Sequence, residues 1–311
     1  MTTIKAISFS SYGPADVLRP VEVPLPVPGP GQVRIAVRCA GVNPLDHKLR
    51  SGAMAGTFPL ELPHVPGVEA SGLVEAVGEG VTQVRAGDAV FGRTVTGAYA
   101  EQALAREDQV VIKPVSLAWE EAAALPVAAE TARRVMELLD LGDGETLLVH
   151  GAAGGVGTLA VQFARARGVR VIGTASESNH AYLRGLGAIP VTYGQGLAER
   201  VREAAAPGRV DAALDAVGKG DAVWVSVEVT GGADRVVSIA DAEGARLHGA
   251  RFSSGGREVR PVPALNEALA LHEAGLLQLP VHRLYRLEEA ADAHRESEHG
   301  HLTGKIVLAV A

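Results

Sequence analysis

The chain is poor in cysteine, aromatic residues and positive charge, and each shortage removes a class of protein. One cysteine, Cys39, among 311 residues excludes an internal disulfide and any multi-cysteine zinc site. Its apolar flanks, AVRCAGV, read as a buried strand carrying an inert thiol. Phe, Trp and Tyr make up only 4% of the chain. No apolar run is long enough to span a bilayer. The N-terminal MTTIKAISFS lacks the apolar stretch of a signal peptide, so the expected location is the cytoplasm. Lys and Arg number 29 against 36 Asp and Glu, a net charge of −7. That balance argues against a nucleic-acid or membrane surface.

Small residues fill the gap. The chain holds 37 glycines and is 47% hydrophobic, a composition suited to close helix-on-sheet packing, and its length fits two domains. Residues 147–176 read LLVHGAAGGVGTLAVQFARARGVRVIGTAS: strand, glycine-rich turn, amphipathic helix, strand. Gly154, Gly155 and Gly157 follow Ala152, which stands where the first glycine of G-x-G-x-x-G would be. Small residues here let the chain turn sharply, let a pyrophosphate approach bare backbone and let the helix pack on its strand. Free N–H groups of a helix starting near Val156 would face the phosphates.

The first part is β-rich, with strict alternation in QVRIAVRCAGV and turn punctuation in PVPGPG. It predicts a compact, partly open β domain. From Ser116, a candidate N-cap, the chain becomes helix-forming, and Pro126 should split that stretch in two. Strands and helices then alternate, with RVVSIA as a fifth strand and ARLHGARF as a sixth. This pattern predicts a doubly wound parallel sheet. The tail, ending in GKIVLAV, is expected to fold back onto the N-terminal β domain.

Nine segments in order carry a resemblance: YGPADVL, GVNPLDHKLRSG, PGVEASGLVEAVGEGV, GDAVFG, GAYAE, EEAAALP, HGAAGGVG, LDAVG and GKIVL. The chain resembles the zinc-free quinone oxidoreductase branch of the medium-chain dehydrogenase/reductase superfamily. The resemblance implies an α/β protein: a Rossmann doubly wound parallel sheet plus a GroES-like β domain. The β domain would cover 1–117, completed by 277–311, with the dinucleotide-binding domain at 118–276. It further implies an active site in the cleft between domains and assembly as a homodimer or homotetramer. Zinc-dependent relatives carry a cysteine and a histidine where this chain has Asn43 and Val68, and a four-cysteine lobe that VFGRTVTGAYAE lacks. No metal is expected, and without a Lewis acid hydride delivery to an electrophilic acceptor is favoured over alcohol oxidation.

Ala175 stands where an NAD enzyme carries the acid that holds the ribose hydroxyls, so NADPH is the expected cofactor. Ser176, Asn179 and Tyr193 resemble the family's phosphate-contacting positions, with His180 or Arg184 as candidate cations; a helix cap is the competing role for Ser176 and Asn179. The cofactor set is completed by Thr131, Val156, Val217, Ser238, Ile239, Ala240, Arg251 and Phe252, alongside the glycine turn. The family motif before Thr131 is usually L-T-A, so Glu130 is a departure. Asn43 and Asp46 in the NPLD turn are the catalytic candidates: the amide to hold a carbonyl or a water, the carboxylate either in that role or as a first-turn helix acid. Loops 51–59 and 251–262 would shape the pocket. The implied activity is NADPH-dependent hydride transfer to a quinone or related α,β-unsaturated carbonyl. An enone, enoyl or alkenal reductase is the first alternative, and an NADPH-binding redox sensor with little turnover the second.

Overall fold

A computed structural model describes residues 2–255 and 259–310; within the expected loop 251–262, residues 256–258 lie outside the described residues. The chain forms two compact units. The first comprises Met1–Val127, Arg260–Glu273 and Leu279–Ala311, the second Ala128–Val259 and Ala274–Gln278.

The first unit opens with β1 (Thr3–Ser8) and β2 (Arg19–Pro24), an antiparallel pair. The alternating segment is β3 (Gln32–Val42), which turns Val33, Ile35 and Val37 inward. Then come α1 (Pro44–Arg50), β4 (Glu69–Val77), β5 (Ala89–Arg93), β6 (Gln102–Arg106), β7 (Val110–Ile112) and α2 (Trp119–Ala124). Pro126 ends that helical stretch and opens α3 (Pro126–Leu139), because proline has no N–H to continue the preceding helix. Ser116 is not the cap: its Oγ meets His272 Nε2 at 2.9 Å. Ala118 is the N-cap, and its N–H donates to Glu121 Oε2 at 3.1 Å.

The second unit holds β8 (Thr146–His150), α4 (Gly155–Ala166), β9 (Arg170–Thr174), α5 (His180–Gly185), β10 (Ile189–Val191), α6 (Leu197–Ala205), β11 (Ala212–Asp215), α7 (Ala222–Thr230), β12 (Val236–Ser238), α8 (Ala242–Leu247) and β13 (Arg251–Phe252). Its sheet runs β10-β9-β8-β11-β12-β13, and every pairing is parallel. Numbered from β8, that is the doubly wound order 3-2-1-4-5-6, which reverses direction between β8 and β11. Leu148, Ile172, Leu197, Val201, Val225 and Val236 form one of its cores. Each such side chain removed from water contributes about 1.5–3 kcal/mol.

The sixth strand is much shorter than expected. Asp241 accepts the Gly244 N–H at 2.8 Å, caps α8 and draws Ala242–Leu247 into a helix, leaving only Arg251–Phe252 as strand.

The first unit resumes with α9 (Val262–Glu273), β14 (Val281–Arg286), α10 (Ala290–His299) and β15 (Lys305–Ala309). Its main sheet runs β14-β15-β3-β4-β5-β7, with β6 on β3. The pairing of β15 with β3 places the tail in one sheet with the β-rich first part of the chain. Helix α2, expected with segment 118–276, packs on β3, β4 and β15, and α9 packs on β7. Ile7, Phe9, Val37, Tyr99, Ala290, Ile306 and Leu308 share a core.

Candidate active site

The glycine turn sits at the carboxyl end of β8, where the sheet order reverses. Gly151 takes the left-handed backbone (φ +70°) that a side chain would resist. The sharp turn is therefore made one residue before the Ala152 position that the motif suggested. Ala152 is fully buried and its N–H donates to Thr174 O at 3.1 Å; it supports the turn from below. A Cβ on Gly157 would stand 2.2 Å from Gly151 O, so the helix can lie this close only with glycine there. Gly154 is the N-cap of α4, and no side chain caps it. The first N–H groups of a 12-residue helix, at Gly155, Val156 and Gly157, lack partners within the helix and carry its positive dipole end. An uncapped helix end behind a bare turn fits a pyrophosphate.

On one flank of that turn, a buried carboxylate organises the loops after β11 and β12. Asp215 Oδ1 accepts the N–H groups of Val217 and Gly218 at 2.9 and 3.0 Å. Its Oδ2 accepts the Ser238 hydroxyl at 2.7 Å. The Ser238 oxygen in turn accepts the N–H groups of Ala240 and Asp241 at 3.2 and 2.9 Å. The Ile239 N–H donates to Asp215 O at 3.0 Å. Val217 overlies the turn, with its Cγ2 2.6 Å from where a Cβ on Gly151 would be. The structure thus brings together Gly154, Gly155, Val156, Gly157, Val217, Ser238, Ile239 and Ala240. It gives Ser238 the task of holding backbone, since its hydroxyl is fully engaged. Asp215, the organiser, was missed; its signal was an acid ending the strand in LDAVG.

Thr131 is buried, with its Oγ1 3.4 Å from Glu130 Oε2. Arg251 lies exposed on the edge strand and donates to Leu138 O at 3.3 Å. Phe252 beside it is 39% exposed.

On the other flank, β9 ends at Thr174, and Ala175 brings no carboxylate. Ser176 Oγ meets Ser178 Oγ at 3.0 Å and accepts from Asn179 Nδ2 at 3.3 Å; neither Ser176 nor Asn179 caps a helix with its side chain. Tyr193 stands 47% exposed after β10. A cation that the sequence reading overlooked is here as well. The Arg200 guanidinium donates to Thr192 O, Gly194 O and Gln195 O at 2.8–3.2 Å, wrapping the loop that bears Tyr193. His180 Nε2 lies 3.5 Å from Thr192 Oγ1.

In the first unit, Asn43 is the N-cap of α1 and Asp46 lies in its first turn. Asn43 has both ends of its amide engaged: Nδ2 donates to Glu69 Oε1 at 2.7 Å, and Oδ1 accepts from Lys305 Nζ at 2.6 Å. The Lys305 ammonium also donates to Glu69 Oε1 at 2.8 Å and Val42 O at 3.1 Å, so its three protons have three acceptors. Glu69 Oε2 accepts the Val127 N–H at 2.7 Å, in the first turn of α3. Asp46 accepts the Asn43 N–H at 2.8 Å, as a first-turn helix acid does, and the Tyr99 hydroxyl at 3.3 Å. Burial lifts the Asp46 carboxyl to about 7, with Glu69 adding to the rise, against the pull of the Asn43 N–H, Lys305 and Tyr99. Burial, then the Asp46 charge, holds the Tyr99 phenol well above its usual range. The Tyr99 oxygen also faces His294 Nε2 at 3.3 Å. Burial, helped by Arg50 and His47, pushes that imidazole down to about 3. Among the described residues, no group of three or more His, Cys, Asp or Glu is placed to hold a metal ion.

Fold and site together define a medium-chain dehydrogenase/reductase. Residues 29–115 match the alcohol dehydrogenase GroES-like domain, and residues 186–308 match the zinc-binding dehydrogenase model. The quinone oxidoreductase of Sus scrofa is 33% identical, over 99% of this chain and 97% of that protein. The solved quinone oxidoreductase of Coxiella burnetii superposes with a TM-score of 0.87 at 33% identity, over 100% of both chains. The Escherichia coli quinone oxidoreductase complexed with NADPH gives 0.84 at 26% identity, over 98% of this chain and 100% of that one. The chain belongs to the quinone oxidoreductase family of that superfamily.

Two consequences of the buried cluster can be measured. Lys305→Met leaves Glu69 as an unpaired buried charge and should cost about 3–5 kcal/mol in urea unfolding. Adding Glu69→Gln to that variant should restore part of the loss. Asp46 binds its proton more tightly folded than unfolded. The stability this contributes is complete below its ordinary 3.8, declines as pH rises and is gone above about 7. The difference in unfolding free energy between wild type and Asp46→Asn should therefore fall by about 1.4 kcal/mol per pH unit across that window. A difference independent of pH would show the carboxyl to be ionised throughout.

Proposed function

We propose that the protein is an NADPH-dependent quinone oxidoreductase that works without zinc. The observation that carries the reading is the uncapped N-terminus of α4 behind the Gly151–Gly157 turn, at the switch point of a 3-2-1-4-5-6 sheet. Quinone oxidoreductase relatives and the NADPH complex of one structural neighbour support the same assignment.

The chain's own residues supply binding and orientation. The N–H groups of Gly155, Val156 and Gly157 would hold the pyrophosphate. Ser176, Asn179 and Tyr193, with Arg200 and His180 close by, would take the 2′-phosphate. The absence of an acid at Ala175 removes the charge that would repel it. The loops fixed by Asp215 and Ser238, bearing Val217, Ile239 and Ala240, would hold the nicotinamide end beside Thr131, Arg251 and Phe252. NADPH, when bound, delivers a hydride to the quinone, and a proton from water completes the hydroquinone. Most of the rate advantage would come from holding the two reactants in contact.

Zinc independence is supported by the residues themselves. Asn43 and Val68 replace the ligand types of the zinc-dependent relatives, and the Lys305 ammonium already neutralises Glu69. Asn43 and Asp46 would act by fixing the start of α1, since the Asn43 amide is committed at both ends and Asp46 is buried. A homodimer or homotetramer in the cytoplasm completes the proposal. The exposed edge of β13, with Phe252 on it, supports assembly, and the free, buried Cys39 suits a reducing compartment.

The test is NADPH oxidation followed at 340 nm with 1,4-benzoquinone, 9,10-phenanthrenequinone, an alkenal and a cyclic enone, with NADH in parallel. Turnover on the quinones, faster with NADPH than NADH, is expected. Turnover confined to the enones would make the protein an enone reductase. Tight NADPH binding with no turnover would make it a sensor.

A further inference from the structure

Glu130 and Arg134 form an ion pair at one end of the second unit's sheet that the proposed function does not use. Glu130 is 8% exposed. Its Oε1 accepts from Arg134 Nε at 2.9 Å, four residues along α3, and its Oε2 lies 3.4 Å from the Thr131 hydroxyl. An ion pair of that spacing on an open helix face contributes little beyond helix stability. This pair differs in two respects. Its carboxylate is buried, and its guanidinium reaches out of the helix to donate from Nη1 to Ser253 Oγ.

Ser253 is the first residue after β13, and its N–H donates to Ser238 O at 2.9 Å. Ser238 is held in turn by Asp215. Asp215, Ser238 and Ser253 thus mark the carboxyl ends of three adjacent parallel strands, and Arg134 is fixed at the last of them. A dinucleotide centred on the β8 turn has its adenine half over β9 and β10, where Ser176 and Tyr193 stand. Its nicotinamide half then lies over β11 and β12, next to the strand end where Arg134 is fixed, so an acceptor stacked on that half comes within reach of the guanidinium's field.

We propose that the Glu130–Arg134 pair sets the charge preference of the acceptor: Glu130 cancels the guanidinium and keeps the site for uncharged quinones. The proposal rests on the reading of the chain as a nicotinamide-dependent quinone reductase. A partly buried guanidinium without a counter-charge would draw anions to the sheet edge, because its field is weakly screened there. With Glu130 in place the pair is neutral overall, and a sulfonated or carboxylated quinone gains nothing from Arg134. Glu130 acts through Arg134 and is a specificity-determining residue, not a catalytic one.

The experiment compares kcat/KM for 1,2-naphthoquinone and for its 4-sulfonate at saturating NADPH. Taking the ratio of the two within each variant cancels general losses of activity. Glu130→Gln should shift the ratio toward the sulfonate by about tenfold. The double variant Glu130→Gln/Arg134→Met should return it to the wild-type value. Arg134→Met alone leaves Glu130 unbalanced and should shift the ratio the other way, an arm that stands even if Glu130→Gln fails to fold. A ratio unmoved by either single substitution overturns the proposal, as does a shift that persists in the double variant. Wild-type protein that reduces neither compound overturns the quinone reading and the proposal with it; wild-type turnover with an unmoved ratio overturns the proposal alone.

Discussion

A single buried carboxylate, Glu69, is the point on which the first unit depends. One oxygen receives both the Lys305 ammonium from β15 and the Asn43 amide at the start of α1; the other receives the Val127 N–H in the first turn of α3. The carboxylate therefore joins β4 to the C-terminal strand, to the helix after β3 and to a helix N-terminus whose dipole favours negative charge. Taking a carboxylate and an ammonium out of water is costly, and only complete hydrogen bonding offsets the cost. That bonding is complete here. The constraint extends to the neighbours: a Cβ on Gly41 would lie 2.3 Å from Glu69 Oε1 and 2.7 Å from Ala123 O, so β3 must carry glycine where the carboxylate passes.

Asp215 plays the corresponding part in the second unit. Its oxygens fix two loops that leave adjacent strands, and it does so through backbone N–H groups and one serine hydroxyl. Loops held this way keep their carbonyls and amides at set positions without long side chains, which suits a surface where a flat ring must lie against backbone.

Much of this was legible in the sequence because it is local. The alternation of Val33, Ile35 and Val37 gave β3, Pro126 gave the break between α2 and α3, and the spacing of glycines gave the strand–turn–helix unit at β8. What escaped was set by contacts distant in sequence or by a choice between local structures. Gly151 takes the left-handed turn in place of the Ala152 position because the motif's spacing does not say which residue needs positive φ. Residues 245–247 of the expected sixth strand fall in α8, because the Asp241 cap starts a helix just before them. Asn43 looked like a free amide until Lys305 and Glu69, both far along the chain, were seen at its two ends. Arg200 stands on the helix directly after the loop of Tyr193, and its residue type alone does not show that the guanidinium turns back onto the loop's carbonyls.

In the proposed function, the backbone of the glycine turn receives the phosphates of NADPH. Gly154 allows a direct test, because a methyl there meets only Gly151 O at 3.5 Å and its φ of −75° suits any residue. Calorimetric titration of NADPH into wild type and Gly154→Ala, with unfolding measured in parallel, separates binding from folding. Stability within about 1 kcal/mol of wild type and a Kd at least about tenfold weaker are expected, as the methyl would crowd the approach of the phosphates to the helix end. A variant that folds normally and binds NADPH as tightly as wild type would contradict that reading.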